Sequence, residues 1–244
     1  MSWPQFGHGS VSSAMVPSAG RVGCWRGEVV GWRALSAGCD SDLMPSAPTA
    51  PKGRLVLVRH GATEWSESGQ HTGLTDIPLT AKGETAAAAL GPRLAAYDAG
   101  LVLSSPLQRA RRTAELAGLE PQMDADLVEW DYGAYEGRTT KAIRAELGYD
   151  WTVFEHGVVP GASPGETVEE VAARASRVLR RVAPVITERD VLLFGHGHAL
   201  RVLAAVFLRE HPRLGAKLLL DAGSVSVLEY AREQPAIAVW NQVG

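Results

Sequence analysis

The sequence predicts a three-layer α/β/α sandwich with a mainly parallel mixed sheet. Apolar, β-branched runs alternate with helical stretches from residue 54 to 240, and the runs before Arg59 and Gly195 are continuously apolar, as buried strands are. Both runs also end on the same short signature, Arg59-His60-Gly61 in one case and Gly195-His196-Gly197 in the other. Ligands collect beyond the carboxyl ends of strands in open α/β sheets. If the two strands are neighbours, their histidines share one cleft.

The elements follow in order. Residues 54 to 58 form the first strand, and 64 to 77, rich in Ser, Gly and Thr, read as loop. Thr80 is placed as the N-cap of an alanine-rich helix running to Ala96. A short strand at 101 to 103 leads to Ser104-Ser105-Pro106, where a helix carrying Arg109, Arg111 and Arg112 begins at a strand's end, a place that suits anions. Residues 121 to 129 are read as extended and deliver Glu129 into a turn. Helices are expected over 139 to 147 and 165 to 182, the second with an apolar stripe from Val168 to Val182. A buried strand at 190 to 194, a helix at 199 to 208 and two closing strands at 225 to 230 and 236 to 240 complete the fold.

Bulk properties narrow the function. The 244 residues are 45% hydrophobic with a formal net charge of −3, which argues against nucleic acid as the main partner. No apolar run approaches the roughly 18 residues a spanning helix needs, so no membrane partner is expected. Both cysteines, Cys24 and Cys39, precede residue 50, which favours a cytoplasmic protein and leaves residues 54 to 244 without a cysteine nucleophile. Residues 1 to 52 hold scattered Gly, Ser, Pro and Trp without useful periodicity. They are read as a low-order N-terminal extension or as residues upstream of a start at Met44, the latter preferred, with 53 to 244 forming the folded domain.

If His60, His196, Arg59 and Arg109 converge, two guanidinium groups suit a phosphoryl group, a neutral imidazole can attack phosphorus, and the second histidine can donate to the oxygens. Gly61 and Gly197 allow close backbone approach. Glu129, at the end of its segment beside Trp130 and Tyr132, is the candidate proton donor to a leaving alkoxide.

These residues carry a resemblance. Val58-Arg59-His60-Gly61-Ala62-Thr63, Asp76-Ile77-Pro78-Leu79-Thr80, Ser104-Ser105-Pro106-Leu107-Gln108-Arg109-Ala110, Glu129-Trp130-Asp131-Tyr132-Gly133-Ala134-Tyr135-Glu136-Gly137 and Gly195-His196-Gly197 resemble, in order, the motifs of the histidine phosphatase superfamily, the phosphoglycerate mutase-like proteins. The resemblance implies that His60 is phosphorylated, that Arg59, Arg109 and His196 form the phosphate pocket, and that Glu129 is proton donor and acceptor. It implies substrate contacts from Gly61, Thr63, Thr72, Gly73 and Gly197, and from Ser66, which stands where the family usually has asparagine. No cofactor and no metal are implied.

The short segment between Tyr149 and Glu166 lacks the basic, proline-rich insertion that resembles a mutase lid, and Gly197 is followed by His198-Ala199-Leu200-Arg201. Both features resemble the phosphatase branch. The expectation is a metal-independent phosphomonoesterase of acid phosphatase type acting on a small-molecule phosphomonoester, with homodimer formation left open. The alternatives are a 2,3-bisphosphoglycerate-dependent phosphoglycerate mutase and a non-catalytic phospholigand-binding module. Trp65, Trp130, Tyr132, Tyr135 and Trp151 are read together as a rim suited to a hydrophobic substrate.

Two other readings lose. Gly161-Ala162-Ser163-Pro164-Gly165 fits a serine-hydrolase elbow, but Pro164 has no N–H to offer an oxyanion. His196-x-His198 with His60 and Glu129 could be drawn as a metal site, but two nearby arginines would repel the cation.

Overall fold

Residues 50–243 are described by the computed structural model. The reading of 1 to 52 as an extension or mistaken start therefore falls outside the described residues, apart from its last three. The chain order is β1 (Leu55–Arg59), α1 (Glu64–Ser68), α2 (Ala81–Ala89), α3 (Gly91–Leu94), β2 (Ala99–Ser104), α4 (Gln108–Leu116), β3 (Gln122–Met123), α5 (Thr140–Leu147), α6 (Val153–His156), α7 (Val168–Ile186), β4 (Asp190–Gly195), α8 (Gly197–Phe207), β5 (Val225–Ala231) and β6 (Gln234–Gln242).

The six strands form one sheet in the order β3-β2-β4-β1-β5-β6. β1 and β4 are parallel neighbours in register, with Arg59 opposite Gly195. β2 and β3 continue the parallel part, while β5 and β6 close the other side antiparallel. The sheet is thus mixed and mainly parallel, as expected.

Alternation along the central strands accounts for their uninterrupted apolar character. Leu55, Leu57, Val191 and Leu193 face Val178 and Val182 of α7 and Leu203 and Phe207 of α8. Val56, Val58, Leu192 and Phe194 face the other layer, with Leu90, Leu94, Ala114 and Ala117. Each of the two central strands is covered on both faces, so 55 to 58 and 191 to 194 are apolar without a break.

Several elements differ from expectation for local reasons. The stretch read as loop contains α1, a single short helix made by a capping box between Thr63 and Ser66 and closed by Gly69 in the left-handed conformation. The long helix after Thr80 breaks at Leu90, because Gly91-Pro92 starts a new turn with a proline that has no N–H to continue the old one. The extended segment at 121 to 129 narrows to β3 plus a 3-10 turn over Ala125–Leu127, capped by Asp124. Conversely, α7 runs past Pro184 to Ile186, whose side chain is buried against the sheet.

Candidate active site

Both signatures meet at the carboxyl ends of β1 and β4. The His60 N–H donates to the Gly195 carbonyl at 3.0 Å, and the loop before β5 supplies the Gly223 N–H to the His60 carbonyl at 2.9 Å. The imidazole rings of His60 and His196 lie 5.2 Å apart, centroid to centroid.

Hydrogen bonding sets the state of each ring. His60 Nδ1 is 2.7 Å from the Gly61 carbonyl, an acceptor only, so Nδ1 carries the proton and Nε2 keeps its lone pair. Burial, followed by the charges of Arg59 and Arg109, pushes His60 well below its ordinary value and holds it neutral. On His196, Nδ1 receives the Arg109 Nε–H at 3.1 Å, which places the proton on Nε2, 2.8 Å from Ser105 Oγ. His196 is also held neutral, by burial first and then by Arg109.

The two arginines occupy different places. Arg59 lines a cavity of about 260 Å3 together with His60, Glu129, Gly197 and His198. Its Nη1 donates to the Leu220 carbonyl, while its buried Nε has no protein partner. Arg109 is fully buried behind His196: Nη1 donates to the Thr75 carbonyl at 2.9 Å, and Nη2 donates to those of Thr72 and Gly73 at 3.1 and 2.8 Å. Burial lowers the ordinary value of both guanidinium groups, and Glu129 opposes it.

Glu129 sits at the N-terminus of α8. Its Oε1 accepts from Trp130 N–H at 2.9 Å and Ala199 N–H at 2.8 Å, and Oε2 accepts from His198 N–H at 3.1 Å. The carboxyl group thereby satisfies N–H groups that the first turn of α8 leaves without a partner inside the helix. Arg174 fixes the segment from behind, donating to the carbonyls of Asp126, Val128 and Glu129 while pairing with Glu166.

The remaining expected contacts are placed unevenly. Ser66, Thr72 and Gly197 line the cavity. The Ser66 hydroxyl, however, is engaged by the Thr63 backbone. Thr63 is buried and accepts from the Ser66 N–H, so it caps α1 and does not line the cavity. The Gly61 N–H is committed to Thr113 Oγ1 at 3.0 Å, and the Gly73 N–H to Glu136 at 2.9 Å. Trp130, Tyr135 and Trp151 pack in a buried cluster with Ile143 and Phe154, and of the five aromatics only Tyr132 reaches the cavity. The hydrophobic rim is therefore corrected: most of the lining is polar.

Ser105, Thr113 and, of the outer wall, His71, Thr140 and Arg201 were not assigned roles from the sequence, whereas Tyr132 was read as part of the rim. Ser105 could have been found from its place at the end of β2. The wall could not, because it depends on a loop that folds back: His71 rests 4.7 Å from the Tyr132 ring, and Tyr132 Oη lies 2.5 Å from His198 Nδ1. That contact and the partners of His196 engage the two histidines separately, which removes the drawn metal site. The Gly161-to-Gly165 stretch follows no strand, and Ser163 Oγ is bonded to Asp131, which removes the serine elbow.

Four neutral histidines, His60 and His196 buried and His71 and His198 half-buried, make stability depend on pH. His60, His196 and His198 are lowered well below the ordinary value, and His71 is lowered to about 4, burial being the first cause in each. Below pH of about 6.5 the unfolded chain takes up protons that the fold refuses, so stability falls as pH falls. Each histidine contributes at most about 1.4 kcal/mol per pH unit. Urea unfolding is expected to show a steep loss between pH 7 and 5, with His71 ceasing to contribute near pH 4; a flat profile over that window would contradict the burial of neutral rings.

An imidazole, a guanidinium and a carboxyl group, of His60, Arg59 and Glu129, line one cavity at the carboxyl ends of parallel strands, with the His196 ring 5.2 Å from that of His60. In comparison with known proteins, residues 55–243 match the model of the histidine phosphatase superfamily, branch 1. The chain belongs to that superfamily, and its relatives support phosphatase function. It is 36% identical over 194 residues to an acid phosphatase of Mycobacterium tuberculosis, covering 78% of this chain and 93% of that protein. It is also 36% identical over 185 residues to the sedoheptulose 1,7-bisphosphatase of Saccharomyces cerevisiae, covering 63% and 67%. Among solved structures, the product of a Mycobacterium tuberculosis open reading frame superposes with a TM-score of 0.73 at 35% identity, covering 79% of this chain and 98% of that one.

Proposed function

We propose that the protein is a metal-independent phosphomonoesterase acting through a phosphohistidine on His60. The observation that carries this reading is the tautomer of His60: with Nδ1–H held by the Gly61 carbonyl, Nε2 is a neutral nucleophile at the cavity wall. Attack of Nε2 on phosphorus forms the N–P bond as the P–O bond to the alcohol breaks. Glu129 protonates the departing oxygen and then takes a proton from the water that hydrolyses the phosphohistidine, returning His60. Arg59, with its unpartnered Nε, balances the phosphoryl charge. His196 keeps its Nε2–H on Ser105 Oγ at 2.8 Å and its Nδ1 on Arg109, and donates to a phosphoryl oxygen by exchanging the Ser105 partner for it.

The leaving alcohol faces Gln70, His71, Tyr132, Thr140 and Arg201, with Leu220 the one aliphatic residue lining the cavity among the described residues. This wall suits a small hydroxyl-bearing alcohol, and the yeast relative is named for a sugar bisphosphate. In the presence of a chelator, phosphate release from an aryl phosphate and from a sugar phosphate is expected to proceed undiminished, with little phosphoryl transfer between phosphoglycerates. Robust mutase turnover with negligible hydrolysis would reverse the assignment, and chelator sensitivity would reintroduce a metal. Because the nucleophile is neutral in acid, hydrolysis is expected to persist below pH of about 6.5.

A further inference from the structure

Glu136 takes no part in the chemistry above, yet its carboxylate accepts from two backbone N–H groups of one loop. The Gly73 N–H lies 2.9 and 3.0 Å from its two oxygens, and the Thr75 N–H lies 3.1 Å from Oε1. No cis peptide occurs among the described residues, so the N–H and C=O of the Thr72–Gly73 peptide point in opposite directions. Holding the N–H on Glu136 turns the Thr72 carbonyl the other way, where it meets Arg109 Nη2 at 3.1 Å. The carbonyls of Gly73 and Thr75 complete the seat of that guanidinium, at 2.8 and 2.9 Å. Arg109 then directs its Nε–H onto His196 Nδ1.

Residue 73 must be glycine for this approach. A Cβ there would stand 2.5 Å from Glu136 Oε2 and 2.6 Å from the Trp130 carbonyl oxygen. The arrangement is a line of hydrogen bonds in which each member polarises the next: carboxylate, peptide, guanidinium, imidazole.

We propose that Glu136 is a positioning residue that acts through the Thr72–Gly73 peptide and Arg109 to fix the tautomer and orientation of His196. The role rests on the phosphatase reading for its catalytic consequence, but not for its structural readout. Glutamine at 136 keeps one acceptor oxygen and sets an NH2 group beside the Gly73 and Thr75 N–H groups, which cannot accept from it. The seat of Arg109 loosens, and its Nε–H no longer holds His196 Nδ1 as a pure acceptor.

The test is ring-nitrogen NMR on 15N-labelled enzyme, with His196 assigned by a His196→Asn variant, alongside steady-state kinetics. In wild type, His196 is expected as the Nε2–H tautomer with a slowly exchanging Arg109 Nε–H. In Glu136→Gln, His196 should become a tautomer mixture and the Arg109 Nε–H should exchange at least about 10-fold faster. kcat should fall about 10-fold or more, while KM stays within about 2-fold. If Glu136→Gln does not fold, Glu136→Asp carries the test, because it keeps the charge but withdraws it by one methylene. It should show the same ring-nitrogen changes and about a 3-fold lower kcat, each short of the full effect. Unchanged His196 and Arg109 signals in the folded variant overturn the proposal whatever the activity. A wild type without turnover would overturn the phosphatase reading and leave the ring spectra to decide this one.

Discussion

Replacing His60 by alanine is expected to lower kcat/KM for any phosphomonoester by about 10,000-fold or more while leaving the fold intact. The imidazole supplies the only lone pair on that side chain free to attack phosphorus, since Nδ1–H is taken by Gly61. No cysteine is present from residue 54 onward, and the Ser163 hydroxyl is bonded to Asp131, so neither offers a substitute nucleophile. The backbone at residue 60 remains held by the Gly195 carbonyl and the Gly223 N–H, neither of which involves the side chain. Loss of one buried neutral histidine should also flatten the decline of stability in acid. Phosphate release and urea unfolding on the same preparation check both halves. A variant retaining a tenth of wild-type activity would mean that another group attacks, and a variant that still binds phosphate tightly without turnover separates catalysis from mere ligand capture.

The second large effect is expected at Glu129, and its size should depend on the leaving group. Glu129→Gln sets an NH2 group against the N–H donors of Trp130, His198 and Ala199 at the start of α8, so one amide oxygen must replace two carboxylate oxygens. Proton transfer from a placed acid is worth about 100- to 10,000-fold. For an alkyl phosphate, whose alkoxide cannot leave unprotonated, kcat/KM is expected to fall about 100-fold or more. For an aryl phosphate with a stable phenolate, kcat/KM reports the same N–P bond formation without need of the acid, and the loss should stay below about 10-fold. Equal losses for both substrates would assign Glu129 to holding α8 and not to proton transfer.

Much of this arrangement was legible in the sequence because it depends on regular elements. β1 and β4 are continuously apolar from Leu55 to Val58 and from Val191 to Phe194, and a signature at the end of each points to one cleft; the parallel register places Arg59 opposite Gly195. Gly197 was found from its place between β4 and α8, whereas Glu129 was read as the end of an extended segment and instead follows a 3-10 turn over Ala125–Leu127. The placement of Arg109 was not legible. Its helix could be read, but whether its guanidinium faces the cavity or a loop depends on the carbonyls of Thr72, Gly73 and Thr75, whose directions depend in turn on Glu136, over 60 residues away. The capping box of α1 was hidden for a different reason: one turn of helix has no hydrophobic period, and Thr63 and Ser66 satisfy each other where the resemblance implied substrate contacts. The aromatic residues misled because Trp130 and Trp151 build the floor beneath the site, and side-chain type alone does not say which face of a turn is inward.

The most direct test is to mix the enzyme with a phosphoryl-labelled substrate, quench in alkali within one turnover and map the label. The geometry predicts one phosphoryl group per chain, stable in base and labile in acid, on Nε2 of His60 and absent from a His60→Ala variant. Label on any other residue, or full turnover with no trapped phosphoenzyme while the N–P bond is stable to the quench, would contradict it.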